Sequence, residues 1–347
     1  MKIPYSHLVN HIESKPNIVE LSKKLFQLGH EHEIHNNIFD MELTPNRGDC
    51  LSLSGILKDL RLFYKIKDIT DIYDGQIKPF SFDFTNNSKS SCSKISFLKV
   101  EINNLSKNYS GPLNDFFSDL GAKKNNFFTD ISNFIMYETG QPTHCYDAKK
   151  IKSGLSLRQI NKDIDFVTLL SDRINSVAGY REIKLSGKNQ VFMMGEEIIN
   201  LAGIVGGENT CCSPLNETTS ILLECAYFCP EQILGKSVAY DINSDAAHKF
   251  ERGVDITSHE RVIRRFINIV EEHATIKDIK IFTMDKSGEQ IKKIPLDLTK
   301  INKVLGISIS EDDYLNYLKS LGFSFKDEFI KVPSYRNDIN TQNDLAE

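Results

Sequence analysis

Apolar residues recur every three or four positions in several stretches of the chain, and each such stripe predicts a helix that buries one face. Ile18, Leu21, Leu25 and Leu28 form the first, with Asn17 placed to cap it and Gly29 to end it. Leu53, Ile56, Leu57, Leu60 and Phe63 form a second over about 51–63, for which Asp49 is the expected cap. Pro112 opens a third that carries Leu113, Phe116, Phe117 and Leu120 and closes at Gly121. Ile131, Phe134 and Ile135 mark a fourth ending at Gly140, and Val262, Phe266, Ile269 and Val270 a long one near 258–273. Ser310 with Asp313 resembles a capping arrangement ahead of Tyr314, Leu315, Leu318 and Leu321, with Gly322 as the stop.

Period-two alternation predicts strands between these helices. The stretch 39–43 alternates and stops at Pro45. Further candidates are 95–102, 166–170, 182–185, 191–194, 201–205 and 221–228, with a closing pair at 323–325 and 329–332. Most of these strands follow one another without an intervening helix, so the expected class is α+β rather than a doubly wound sheet. The Ser- and Asn-rich stretch 81–94 reads as a linker. It divides the chain into a small α+β unit (1–85), a larger mixed-sheet unit (92–283) and a partial helical module (288–347).

Length agrees with that division, since 347 residues predict two or three domains. The net charge of −5 argues against a chain that coats nucleic acid through a large basic surface. No apolar run approaches the ~18 residues that span a bilayer, and Met1–Tyr5 begins no signal peptide, so the default expectation is cytoplasmic. The seven cysteines are odd in number and contain no C-x-x-C pair, which favours reduced thiols.

Four groups offer candidate chemistry. His30, His32 and His35 have metal-ligand residue types, but they follow a helix-ending glycine with no cysteine close in sequence, so exposed polar positions on a turn and strand are the expectation. Gly203–Glu208 follows a strand without phosphate-loop spacing, leaving either a tight turn or a wall that a substrate approaches closely. Ser244–Asp255 mixes small and charged residues, which suits either a solvated helix or the lip of a pocket. Asp338, Asp344 and Glu347 offer hard carboxylate oxygens that suit Mg²⁺, or they simply open an acidic helix. That last stretch stops without a terminal cap, which predicts a chain cut short. No ATP-binding signature, nucleophile elbow or His-Glu-x-x-His occurs.

Three stretches taken together narrow the reading. They are Leu43-Thr44-Pro45-Asn46-Arg47-Gly48-Asp49-Cys50-Leu51-Ser52; Thr139-Gly140-Gln141-Pro142-Thr143-His144-Cys145-Tyr146-Asp147; and Leu222–Phe228 joined to Ser244–Asp255. In order and spacing, the chain resembles bacterial phenylalanyl-tRNA synthetase β subunits over essentially its whole length. The resemblance implies a B1-like first domain, a B3/B4-like editing domain and the start of a B5-like module. It also implies an α2β2 tetramer in which the α subunit uses ATP to charge tRNA(Phe) with phenylalanine, while the β subunit hydrolyses mischarged tyrosyl-tRNA. Most bacterial relatives insert an OB-fold before the Thr-Pro-Asn-Arg string; here only about 14 residues, 29–42, bridge that gap.

Carried over position by position, the resemblance places the phenol-reading glutamate at Glu224 and the pocket histidine at His144. Gly206 and Gly207 fall on the glycine wall, and Ser244, Asp245 and Ala246 on the family's Thr-Asp-Ala. Lys123 stands where the family has arginine, keeping the charge but losing the bidentate fork. Asp338, Asp344 and Glu347 match three of the four acidic positions of an Mg²⁺ site shared with the α subunit. Two rival readings stay open: a free-standing hydrolase of mischarged tRNA, and a non-catalytic scaffold with a decayed pocket.

Overall fold

The computed structural model describes residues 1–69, 71–169, 181–288 and 291–347. It is α+β throughout, with most strands antiparallel. In the N-terminal unit the strands Lys2–Pro4, Ile38–Glu42 and Glu31–His35 form one antiparallel sheet. The helix Ile18–Gln27 packs beside it through Leu21 and Leu25, and Asn17 caps that helix by accepting from the N–H groups of Val19 and Glu20.

Two five-stranded sheets build the middle unit. The first has the order Lys78–Pro79, Thr275–Asp285, Cys92–Asn103, Ser220–Phe228, Thr143–Asp147. The strand Ser220–Phe228, fourth in that order, is buried on both faces, and alternation sorts its side chains. Ile221, Leu223 and Cys225 join the core under the helices Gly111–Leu120, Phe127–Thr139 and His259–His273. Leu222, Ala226 and Phe228 join the core shared with the second sheet. That second sheet runs Val205–Gly206, Glu197–Leu201, Lys188–Met194, Leu155–Asn161, Phe84–Asn86. In the C-terminal module the strands Lys293–Pro295, Phe329–Lys331 and Ser324–Lys326 pack under the helices Leu298–Leu305 and Glu311–Ser320, around Ile301, Tyr314, Leu318 and Ile330.

Several local expectations need correction. The helix expected over 51–63 is Leu53–Leu60, and its cap is Ser52, which accepts from Gly55 N–H. Asp49 instead sits in a short 3₁₀ turn, where Arg47 grips its carboxylate with two N–H groups at 3.0 and 2.9 Å. The strand expected at 201–205 is two strands, Glu197–Leu201 and Val205–Gly206, separated by a turn in which Gly203 has φ +72°. The strand expected at 166–170 spans Ile164–Thr168, while Leu170 lies outside the described residues. The polar stretch 81–94 contains a strand, Phe84–Asn86, parallel to Leu155–Asn161. Phe82 and Phe84 anchor it edge-on against Phe97, with ring centroids 4.9 and 5.0 Å away. Two aromatics at alternate positions outweigh the serines around them.

His30 also departs from expectation, because it is buried rather than exposed. Its Nε2 lies 2.9 Å from Asp59 Oδ2, which also accepts from Arg47 Nη2 at 2.7 Å. Burial alone would raise the Asp59 carboxyl, but His30 and Arg47 together hold it down at about 2. All seven cysteines are free, and six are buried. No helix among the described residues is long and apolar enough to cross a membrane.

A buried ion pair joins two helices beneath the central sheet. Arg265 donates from Nε and Nη2 to the two oxygens of Glu138 at 2.9 and 3.0 Å. Its Nη1 reaches Asp71 O and Asn268 Oδ1. Removing one partner of such a pair leaves an uncompensated buried charge. Glu138→Ala is therefore expected to lower unfolding stability by about 3–5 kcal/mol. The double change Glu138→Leu with Arg265→Met should recover most of that loss. Denaturant titration of the three proteins tests the pair, and equal stability of the single and double variants would show that the charge is solvated.

Candidate functional site

Strand register brings the site together. On the central sheet Glu224 lies directly opposite His144. On the second sheet Asn200 lies opposite Gly206. The faces of these two cross-strand pairs border a cavity of about 120 Å³, closed by Ala246 and Phe250 from the helix Asp245–Phe250. Thr143, His144, Val205 and Ala246 are half-buried, so the mouth of the cavity reaches the surface.

Glu224 is 4% exposed, between apolar neighbours on its own strand. A carboxylate in such a place is costly unless hydrogen-bonded. One bond is supplied: Tyr146 donates its hydroxyl to Glu224 Oε2 at 2.6 Å. The same hydroxyl accepts from Asn200 Nδ2 at 2.8 Å, so a chain of hydrogen bonds crosses from one sheet to the other. Burial pushes the Glu224 carboxyl up to about 7, with the Tyr146 bond pulling the other way. The group therefore stands near the balance between acid and carboxylate at neutral pH.

His144 contributes a different chemistry. Its ring stands edge-on to Tyr146, with centroids 4.5 Å apart. Its Nε2 is buried and has no hydrogen-bond partner, as is also true of Thr143 Oγ1. Burial depresses the imidazole to about 4, so it is neutral at physiological pH. Two unpartnered buried polar atoms beside a cavity are groups that await a ligand or water. Gly206 is required by the same ring: a Cβ there would lie 2.3 Å from His144 Cε1.

The expected site residues separate into two sets. Glu224, His144, Gly206 and Ala246 line this cavity together. Ser244 does not line it; its hydroxyl donates to Ile204 O at 2.7 Å and accepts from Ala247 N–H at 3.1 Å as a helix cap. Gly207 is buried behind the wall, donating its N–H to Ile199 O. Asp245 is exposed, and Lys123 is exposed in the turn after the helix Gly111–Leu120; neither lines the cavity. Conversely, Tyr146 and Asn200 are central and carry no role in the sequence reading. Tyr146 was detectable in principle, because it follows His144 by two on one strand and so shares its face. Asn200 was detectable as the polar residue inside Ile198-Ile199-Asn200-Leu201.

Asp338, Asp344 and Glu347 all line a second cavity of about 610 Å³ between the N-terminal unit and the C-terminal module. They do not converge as a ligand set. Arg336 holds both oxygens of Asp338 at 2.9 and 2.8 Å. Asp344 Oδ2 accepts from the N–H groups of Asn340 and Thr341. Among the described residues, the three metal-ligating groups whose donor atoms do meet are His30, Cys50 and Asp59. There Arg47 Nη2 already supplies the cation, 2.7 Å from Asp59 Oδ2 and 2.8 Å from Cys50 Sγ.

Comparison with known proteins bears on both regions. The B3/4 domain family matches residues 97–275, which contain the first cavity's Glu224, His144 and Asn200. The tRNA synthetase B5 domain matches residues 294–347. The phenylalanine–tRNA ligase β subunit of Fusobacterium nucleatum is 30% identical over 328 residues, covering 90% of this chain and 39% of that protein. The β subunit of Psychrobacter arcticus is 28% identical over 329 residues, with the same coverage of 90% and 39%. A solved N-terminal fragment of the phenylalanyl-tRNA synthetase β subunit from Pyrococcus horikoshii aligns over 100% of this chain and 97% of its own, with a TM-score of 0.49 and 14% identity. The chain thus spans about two fifths of the length of the curated relatives it matches. Two family domains in the expected order and relatives aligned over nine tenths of the sequence place the chain in the phenylalanine–tRNA ligase β-subunit family.

Proposed function

We propose that the cavity at Glu224 is an editing site that hydrolyses tyrosine wrongly esterified to tRNA(Phe). The chain would do so as part of a ligase whose α subunit consumes ATP and attaches phenylalanine. The observation that carries this reading is a carboxyl group buried in an apolar strand, aimed into a small cavity, and facing an unpartnered neutral imidazole. Tyrosine differs from phenylalanine by one hydroxyl. A hydrophobic pocket discriminates poorly against an added hydroxyl, whereas a buried polar group that pairs with it rejects the analogue lacking it. Glu224 can accept from the phenol when ionised and donate to it when protonated. Phenylalanine would leave that carboxyl oxygen unpaired in a closed space.

Hydrolysis needs a water oxygen to add to the ester carbonyl and the ribose oxygen to leave with a proton. With its imidazole depressed to about 4, His144 is a weak base. Its part is therefore to hold the water or the ester through Nε2 rather than to store a proton. Gly206, having no Cβ, lets that ring lie close against the cavity wall. The Mg²⁺ expectation has one support, that Asp338, Asp344 and Glu347 share a cavity. A cation there would share Asp338 with the Arg336 pair, and the editing reaction does not depend on it.

Glu224→Ala is expected to reduce the preference for tyrosyl-tRNA(Phe) over phenylalanyl-tRNA(Phe) by at least about tenfold, the scale of a lost hydrogen bond to a charged group. Deacylation of both esters at matched tRNA concentration reads this directly, and an unchanged ratio would remove Glu224 from the role. Gly206→Ala should abolish hydrolysis of both esters while leaving Glu224 in place, because the new Cβ overlaps the His144 ring; retained turnover would show that hydrolysis does not depend on the position of that ring.

The raised carboxyl also predicts a pH dependence. Below pH 4.5, the ordinary value, Glu224 is protonated in both the folded and the unfolded chain. Between 4.5 and about 7 the unfolded chain ionises first, so the protection enjoyed at low pH is lost as pH rises. The full loss is roughly 3 kcal/mol. Glu224→Gln should therefore match the parent's stability near pH 4 and exceed it above pH 7. Denaturant titrations at the two values check the sign, and a pH-independent difference would show that the carboxyl is not raised.

A further inference from the structure

We propose that Tyr146 is a positioning residue for specificity: its hydroxyl, clamped between Asn200 and Glu224, decides which carboxylate oxygen of Glu224 faces the cavity. The inference rests on the editing reading for its consequence, though not for its geometry.

Tyr146 is fully buried between the two sheets. It lies opposite Leu222, on the same face of the sheet as the Glu224–His144 pair and two residues along it. Asn200 Nδ2 occupies an acceptor site on the Tyr146 hydroxyl at 2.8 Å, so the phenolic proton is directed at Glu224 Oε2, 2.6 Å away. A hydroxyl has a single proton, and here its direction is set by the amide. Oε2 is thereby occupied by the protein's own phenol. The other oxygen is left to meet the side chain that enters the cavity, which on the editing reading is a second phenol. Tyr146 thus reproduces internally the contact that the substrate makes, and the carboxyl is held in one orientation before the ester arrives.

Among the described residues, the neighbours of Glu224 supply no competing charge. From the strand Thr143–Asp147 it is faced by His144 and Tyr146, from Cys92–Asn103 by Cys92, and along its own strand by Cys225. Burial holds both thiols and the phenol protonated and His144 neutral. On the helix Asp245–Phe250, Lys249 is turned away to donate to Leu51 O, and Asp245 is exposed. Among the described residues, no cation is therefore available to take over if the Tyr146 hydroxyl is removed.

The test uses the intact chain with Tyr146→Phe, which removes one oxygen atom, and Asn200→Ala, which removes the other side of the clamp. Glu224→Gln identifies the infrared carbonyl band of the protonated Glu224 carboxyl. In Tyr146→Phe that band is expected to persist to higher pH than in the parent, because a bond that favours the ionised form is gone. The kcat/KM for tyrosyl-tRNA(Phe) should fall about tenfold, the scale of one lost hydrogen bond to a charged group, while that for phenylalanyl-tRNA(Phe) is unchanged. Asn200→Ala should move both readouts in the same direction by less. A band that titrates as in the parent in both variants overturns the proposal, whatever happens to the rates. A shifted band in a protein whose parent discharges neither ester upholds the role of Tyr146 and instead refutes the editing reading.

Discussion

Everything at the site follows from one constraint: the strand Ser220–Phe228 is covered on both faces, and one of its inward positions is a carboxyl. Its odd positions pack under helices and its even positions pack against a second sheet. Glu224 falls on an even position, where Leu222 and Ala226 flank it with hydrocarbon. A group that must be desolvated there needs a partner within its own layer. The neighbouring strand supplies Tyr146 and the facing sheet supplies Asn200. Gly206, across from Asn200 on the cavity wall, carries no side chain and so makes room for the His144 ring.

The same economy appears where the N-terminal unit meets the middle one. The string Leu43–Ser52 buries Cys50 and Leu51. Its backbone is also gripped from the helix Asp245–Phe250 and the turn after it: Lys249 donates to Leu51 O, and Arg252 donates to Leu43 O at 3.3 Å. Gly48 passes so close that a Cβ would lie 2.5 Å from Arg252 O. Burial lowers Lys249 to about 8, so this contact carries a desolvated charge with one strong acceptor. The helix that closes the cavity is thereby tied to the N-terminal unit. Arg47, beside that turn, uses its guanidinium to neutralise Asp49 and Asp59 rather than to face solvent.

Much of the architecture was legible along the chain. The stripes at Leu21–Leu25 and Val262–Val270 became helices, and Asn17 and Ser310 became caps by accepting from the N–H groups expected of them. Local rules failed where two features competed. Ser52 rather than Asp49 caps its helix because Arg47 has claimed the Asp49 carboxylate. Phe82 and Phe84 pull a serine-rich stretch into the structure because their rings find Phe97. His30 leaves its exposed expectation because Asp59, 29 residues away, offers a buried acceptor.

The sequence by itself determined the element types, the α+β class and the family, because helix and strand periods are local and four long strings in order are specific. It also singled out Glu224 and His144, through the resemblance those strings carry. Only the tertiary structure decided that Tyr146 and Asn200 complete the site, and that Ser244, Asp245, Gly207 and Lys123 do not line it. The reason is distance along the chain. Tyr146 and Glu224 are 78 residues apart, and Asn200 belongs to a different sheet. Which of a strand's polar residues meet is set by register and by how two sheets stack, and neither is written in any window short enough to be read from the sequence.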